Sequence, residues 1–152
     1  MSRRWAGFTV LELLMVVTLL AILAVTLIPQ FTAAHEDARR AVVHDDIEQF
    51  TRQLKLYREQ HSGHWPAEKS TSEDTLLKQL KSRTTATGIV AADGKYGPYL
   101  IGPMPTNPFK GSSSVIVVNG PLASTHHDGH GPHGWAYSST TGEFRANLKP
   151  HE

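Results

Sequence analysis

The sequence has no cysteine among its 152 residues, so disulfide bonds and thiolate metal sites are excluded. It also has no strong charge of either sign, because the formal net charge is +1 and provides no basic surface for nucleic acid. Catalytic motifs are missing too: the chain contains no Gly-x-Ser-x-Gly elbow, no glycine-rich phosphate loop and no His-Glu-x-x-His pair. We therefore expect a protein that is neither an enzyme nor a nucleic-acid-binding protein.

The strongest hydrophobicity lies near the N-terminus. A short leader, residues 1–7, carries Arg3 and Arg4, and an apolar run over residues 8–28 follows it. As a helix rising 1.5 Å per residue, this run spans about 32 Å, which matches the roughly 30 Å hydrocarbon core of a membrane. The pattern predicts a transmembrane helix over residues 8–28, with the basic leader on the cytoplasmic side and residues 29–152 beyond the membrane.

Glu12 interrupts the apolar run. An ionised carboxylate within a membrane helix costs about 2.5–3.5 kcal/mol, so we expect it to have a cationic partner. Cleavage between Gly7 and Phe8 would expose a new α-amino group about one helical turn from Glu12. Between staggered neighbouring helices, the carboxylate of one chain would then meet the amine of the next, and this pairing would set the axial register of a polymer.

The residues Gly7-Phe8-Thr-Val-Leu-Glu12 resemble the processing site of type IV prepilins and type II secretion pseudopilins. The resemblance implies that a prepilin peptidase cuts after Gly7 and methylates the amine of Phe8, and that Glu12 is the assembly glutamate. It also implies that Pro29 lies where many family members have a helix-kinking proline, a residue that disrupts helices because it lacks an N–H. Pilins of this family often close a C-terminal loop with a disulfide, so the absence of cysteine favours the pseudopilin branch.

The same resemblance implies a function, partners and a location. The chain is expected to be a structural subunit of a type IV pilus-like filament or a type II secretion pseudopilus. Expected partners are further copies of the chain, other pilins or pseudopilins, the prepilin peptidase and an inner-membrane assembly platform. The expected location is the bacterial inner membrane, with a single pass and a periplasmic head, before extraction into the filament. Two simpler alternatives are a signal anchor with an incidental Glu12 and a conventional signal peptide cut near Ala24.

The polar remainder of the chain is predicted to form the head. An apolar stripe at helical spacing predicts an amphipathic helix over about residues 33–61. The stripe consists of Val43, Ile47, Phe50, Leu54 and Tyr57. A shorter amphipathic helix is predicted at Glu73–Ser82, and β-branched and aromatic runs predict strands at Ser114–Asn119, Gly134–Ser138 and Glu143–Asn147. The last two strands are expected to form a hairpin.

These elements predict an α+β fold class. A long N-terminal helix, transmembrane in its first half, is expected to pack on a small antiparallel β-sheet head, as the pilin resemblance implies. The β part of this head is expected over about residues 96–147. Turn residues are dense from residue 93 onwards, as short β structures require.

A glycine-rich loop in the head carries four histidines and one aspartate, namely His126, His127, Asp128, His130 and His133. Imidazoles and a carboxylate suit a divalent metal such as zinc, copper or nickel, although the spacing matches no closed site. The alternative function is therefore an anchored periplasmic metal-binding module, and the simpler explanation is a solvated variable loop. Otherwise we expect no cofactor. By resemblance, Leu122–Gly134 is the calcium loop of major pseudopilins, but Asp128 is its only carboxylate, so no calcium site is assigned.

Overall fold

The computed structural model of the protein describes residues 7–123 and 131–148, and for residues 26–30 it describes the backbone alone. Within these residues the fold is α+β. The elements, in chain order, are helix α1 (Val10–Gln60), helix α2 (Glu73–Lys81) and strands β1 (Val115–Val118), β2 (Trp135–Ser138) and β3 (Phe144–Ala146). The chain divides into two units, unit 1 (Met1–Ala38) and unit 2 (Arg39–Glu152).

The N-terminal helix differs from the prediction. Among the residues described, no helix combines the length and the apolar character that crossing a membrane requires. The predicted transmembrane helix over residues 8–28 and the single-pass inner-membrane localisation are therefore wrong. The structure also differs at the start of this segment: α1 begins at Val10 rather than Phe8, because Thr9 caps the first turn, so Phe8 and Thr9 lie outside the helix.

Helix α1 runs through the position of Pro29 and reaches Gln60. Pro29 therefore does not end the helix, and the predicted kink stays a prediction. The helix terminates where the backbone turns: Ser62 and Gly63 both have positive φ angles, of 56° and 89°. The N–H of Gly63 donates to the carbonyl of Arg58, which satisfies one of the free carbonyls at the helix end.

The predicted apolar stripe forms the helical side of the core in unit 2, and this prediction is confirmed. Val43, Phe50, Leu54 and Tyr57 are buried, and Ile47 packs against them. The outward positions of the same helix carry charged side chains. This part of α1 is therefore amphipathic, with its apolar face on the core and its charged face in water.

The predicted short helix and the three strands are also confirmed, each within a few residues of the predicted bounds. The prediction of an antiparallel sheet is wrong, because the sheet is mixed. In the order β1-β2-β3, strands β2 and β3 form the expected antiparallel hairpin, but β1 pairs with β2 in parallel, with Val115 opposite Trp135. The connection from Val118 to Trp135 exceeds the dozen or so residues that a parallel crossover needs, so the chain returns to the same end of the sheet.

The core of unit 2 centres on aromatic residues. The ring of Phe144 stacks on Phe50 with centroids 4.5 Å apart and on Trp135 with centroids 5.3 Å apart. The Trp135 indole N–H donates to the carbonyl of Pro105 at 2.9 Å, and the Tyr137 hydroxyl donates to the carbonyl of Pro66 at 2.9 Å. In the described chain no buried side-chain polar atom lacks a hydrogen-bond partner. The core therefore buries its polar groups without leaving any of their hydrogen bonds unmade.

Helix α2 is fixed at its first turn. The hydroxyl of Ser72 accepts a hydrogen bond from the N–H of Thr75 and so caps the helix. The carboxylate of Glu73 accepts a hydrogen bond from the N–H of Val115 at 2.8 Å, which joins α2 to the first residue of β1. Leu76 and Leu80 are fully buried and hold the helix on the core.

Candidate functional sites

The predicted cleavage site lies ahead of the first helix. Gly7, Phe8 and Thr9 are not helical, and Phe8 is 80% exposed. A Cβ atom added at Gly7 would meet no other atom within 4 Å. The peptide bond between Gly7 and Phe8 therefore lies in exposed, irregular backbone, which is the geometry that an endopeptidase needs.

Glu12 lies in the first turn of α1, and Thr9 caps that turn. The Thr9 hydroxyl accepts a hydrogen bond from the N–H of Glu12 at 3.2 Å, and the Thr9 carbonyl accepts one from the N–H of Leu13 at 3.2 Å. The spacing Thr-x-x-Glu is that of a capping box, of which the structure shows the bond to the Thr9 hydroxyl, and a carboxylate at position 12 interacts favourably with the helix dipole. Sequence analysis missed this local role of Glu12, although the spacing alone would have indicated it.

The first part of α1 presents an exposed apolar surface, which we call the N-terminal apolar surface and define as the side chains of Val10–Val25. Every one of these side chains is exposed, with Val10 at 86% and Val25 at 75%. Apart from Glu12 and Thr18, its residues are all apolar, so exposure extends around the whole helix rather than along one stripe. A contiguous apolar surface of this size on a protein marks a place where another molecule binds.

The histidine loop is described in part. His126, His127, Asp128 and His130 lie outside the described residues. His133 is half-buried, with its Nδ1 atom 3.2 Å from the hydroxyl oxygen of Ser114. Within residues 7–123 and 131–148, no group of three or more side chains is placed to hold a metal ion. The proposed metal site therefore stays a prediction.

Unit 2 contains a groove that sequence analysis did not find, and we call it the Asp46 groove. It has a volume of about 300 Å³. One wall is α1, which contributes Asp46, Gln49, Phe50 and Gln53, and the other is the irregular segment Tyr99–Pro105. The two walls are some fifty residues apart along the chain and follow no common period, so no local pattern could have revealed the groove.

Among the described residues that line this groove, Asp46 alone has a carboxyl group. It is half-buried, and burial raises the pKa of its carboxyl above the usual value, with the neighbouring charge of Asp45 adding to the effect. In the part of the chain that the structure describes, Asp46 forms no ion pair. Its negative charge is therefore partly removed from water and, among the described residues, is not paired with a cation.

This environment predicts that Asp46 lowers stability at neutral pH. A carboxyl whose pKa is raised by folding binds its proton more tightly in the folded state, so its contribution is most favourable below the unfolded pKa of 3.8 and is lost as pH rises through the folded pKa. We expect Asp46→Asn to raise the free energy of unfolding at pH 7 and to leave it unchanged at pH 3, as measured by urea unfolding.

The control for this prediction is Glu59→Gln, which removes an exposed carboxylate from the same helix. Its effect on the free energy of unfolding should stay within about 0.5 kcal/mol at both pH values. A lower stability of Asp46→Asn at pH 7 would contradict the prediction, because it would mean that the ionised carboxylate has a stabilising partner.

A second cavity, of about 330 Å³, lies beside the end of α1. Its polar groups are largely paired with one another: His64 Nδ1 lies 2.6 Å from the Glu68 carboxylate, and the Gln79 amide donates to the carbonyl of Gly88 at 2.8 Å. His61 is buried there, and its Nδ1–H donates to the Tyr57 carbonyl at 2.7 Å. These polar groups therefore hold the end of α1 against its neighbouring segments, and we assign no ligand to this cavity.

Comparison of the chain with protein-family models, with curated proteins and with solved structures finds no match in any of the three.

Proposed function

We propose that the chain is a structural subunit of a type IV pilus-like filament or a type II secretion pseudopilus. In this proposal it is cut between Gly7 and Phe8 and assembles through the first part of α1. The observation that carries the proposal is the N-terminal apolar surface, which begins directly after a potential cleavage site and contains one acidic residue, Glu12, at its start.

The apolar surface supports assembly through its energetics. Burying a Val, Leu, Ile, Phe or Met side chain contributes about 1.5–3 kcal/mol relative to leaving it in water. Apolar side chains exposed on all sides of α1 cannot all be covered by one flat partner, but several neighbouring helices can surround them. Packing among copies of the same helix is therefore the arrangement that buries most of this surface.

Glu12 supports an ordered rather than a random packing. Cleavage after Gly7 makes the amine of Phe8 the N-terminus, a cation close to the carboxylate of Glu12 in the same chain. In a bundle of staggered helices, the carboxylate of one copy pairs with the amine of the next, and each pair fixes the axial offset between two copies. The capping hydrogen bond from the N–H of Glu12 to Thr9 holds this carboxylate at the helix start in every copy.

The proposal includes partners for each step. A prepilin peptidase makes the cut and methylates Phe8, an assembly platform adds subunits, and other pilins or pseudopilins share the filament. Arg3 and Arg4 belong to the leader that is removed. Unit 2 provides the surface for contacts that are specific to one kind of filament, either a pilus or a secretion pseudopilus.

The decisive experiment is mass spectrometry of the protein purified from its native host. We expect the N-terminal peptide to begin with N-methyl-phenylalanine at Phe8. Gly7→Val should leave the chain uncut, because a branched side chain at the cleavage site hinders approach of the peptidase to the backbone. The variant is a clean test since no atom lies within 4 Å of a Cβ at Gly7, so the fold is not disturbed. An intact Met1 terminus in cells with active peptidase would overturn the proposal.

A further inference from the structure

We infer that the Asp46 groove binds a lysine or arginine side chain presented by an extended segment of another protein. This inference is independent of the proposed function, because every residue that carries it lies in unit 2. It rests on three features of the groove: an uncompensated negative charge, two unpaired amides at a suitable spacing, and an apolar wall.

The charge indicates the chemistry of the ligand. Asp46 is half-buried, has Asp45 beside it, and forms no ion pair within the described residues. An ammonium or guanidinium group placed in the groove would make a charge-assisted hydrogen bond to this carboxylate, which is stronger than a neutral one. It would also offset the repulsion between the two neighbouring carboxylates. The groove therefore favours a cation over a neutral or anionic ligand.

The amides indicate that the cation belongs to a peptide. Gln49 and Gln53 line the groove one helical turn apart, and neither side chain forms a hydrogen bond within residues 7–123 and 131–148. Four residues of helix rise about 6 Å, and two residues of an extended chain advance about 6.6 Å. Each glutamine side chain has N–H donors and an oxygen acceptor. Because the two spacings match, the two side chains can form hydrogen bonds with alternate peptide groups of an extended segment that runs along α1.

The opposite wall provides the apolar contact. Leu100, Ile101, Pro103 and Pro105 line it, and Ile101 is 88% exposed, with its side chain uncovered beside the groove. The two prolines have no N–H, so this wall presents few donors that need a partner. The methylene stem of lysine or arginine packs well on such a surface while its charged end reaches a carboxylate.

The occupant is argued to be a different protein rather than a second copy. Among the described residues, the strands and the segment Tyr99–Pro105 contain a single cationic side chain, that of Arg145. Arg145 is already paired with Glu143 in its own chain. In the irregular segment before them, the Arg83 guanidinium donates to the carbonyl of Gly94, and the Lys95 ammonium lies over the ring of Tyr96. These described cations already have contacts within their own chain, whereas a partner with a basic extended segment complements the groove in charge and shape.

The test uses the full-length chain, kept monomeric in detergent, and two capped tripeptides, acetyl-Ala-Lys-Ala-amide and its norleucine analogue. We expect the lysine peptide to shift the side-chain NH₂ signals of Gln49 and Gln53 and the backbone signal of Ile101 in NMR spectra, saturably. The norleucine peptide should bind at least about tenfold more weakly, because it has the same alkyl stem but no charge. Equal affinity of the two peptides, or shifts confined to other residues, would overturn the inference.

Variants separate the features of the groove. Asp46→Asn should weaken the lysine peptide about tenfold without lowering the free energy of unfolding, and Glu59→Gln should leave the affinity unchanged. The double variant Gln49→Leu, Gln53→Leu should weaken the peptide but leave n-butylammonium binding as it is, since that probe has no peptide groups. Full peptide affinity in Asp46→Asn would overturn the inference. Shifts at Ile101 that grow with protein concentration alone and vanish in Asp46→Asn would identify a second copy as the occupant and overturn the foreign partner.

Discussion

Replacing Glu12 with valine is expected to abolish filament assembly while leaving cleavage after Gly7 intact. The valine is apolar and preserves the N-terminal apolar surface, so the drive to bury that surface remains. What disappears is the carboxylate that pairs with the Phe8 amine of the neighbouring copy. Without that pair, the axial offset between copies is no longer fixed, and we expect disordered association in place of filaments. Electron microscopy of sheared filaments and mass spectrometry of the N-terminus measure the two outcomes separately.

Glu12→Gln separates this role from helix capping. The observed capping bond uses the backbone N–H of residue 12, and glutamine also suits this position of a capping box, so the variant preserves the start of α1 while removing the charge. If the charge pair carries assembly, Glu12→Gln should fail to assemble as Glu12→Val does, and Glu59→Gln should assemble normally. Filaments formed by Glu12→Gln at the wild-type level would show that assembly does not require the charge, and the proposed charge pairing would be abandoned.

The largest effect on stability is expected from Trp135→Ala. Trp135 is fully buried, stacks on Phe144 and donates its indole N–H to the carbonyl of Pro105. Truncating a large aromatic residue in a core costs about 3–5 kcal/mol. The whole stability of a domain is about 5–15 kcal/mol, so the variant should be largely unfolded at moderate urea concentrations.

Circular dichroism during urea unfolding measures this loss. The matched control is Ile89→Ala, which removes an apolar side chain that is 64% exposed, and its effect should stay within about 0.5 kcal/mol. A loss of less than about 1 kcal/mol for Trp135→Ala would mean that the aromatic cluster is not the centre of the core.

Local elements of the fold could be predicted because their determinants are local. Helix α2 follows from leucines at helical spacing behind a serine cap, and the β2–β3 hairpin follows from two short aromatic strands around Ser139–Gly142. Gly142 has a φ angle of +72°, which a glycine adopts without strain, so the turn residue itself indicates the hairpin.

The arrangement of the elements could not be predicted in the same way. A strand such as β1 has the same alternation of side chains whether it pairs in parallel or antiparallel, and its direction depends on the path of the long connection to Trp135. The Asp46 groove is harder still, because its wall at Tyr99–Pro105 has no regular structure and its place beside α1 is fixed by long-range packing. The hydrogen bond that the Tyr99 hydroxyl donates to the side-chain amide oxygen of Gln60, at 2.6 Å, is one such contact.

The N-terminal segment carries two predictions with different standing. Its residues predict a cleavage site between Gly7 and Phe8, which lie in exposed, irregular backbone, and cleavage there stays a prediction. The predicted length of the helix before residue 28 was wrong because an unbroken apolar run does not fix where a helix begins. Thr9 does, through a side-chain hydrogen bond that hydropathy does not register.

The contact between Glu73 and Val115 has a consequence for a protein held at high local concentration. Strand β1 lies at the margin of the sheet, where free backbone N–H groups attract strands from other molecules. The carboxylate of Glu73 already accepts a hydrogen bond from the N–H of Val115, so this N–H is not available to a strand from another molecule. Addition of a strand from a crowded neighbour is thereby hindered at this end of β1.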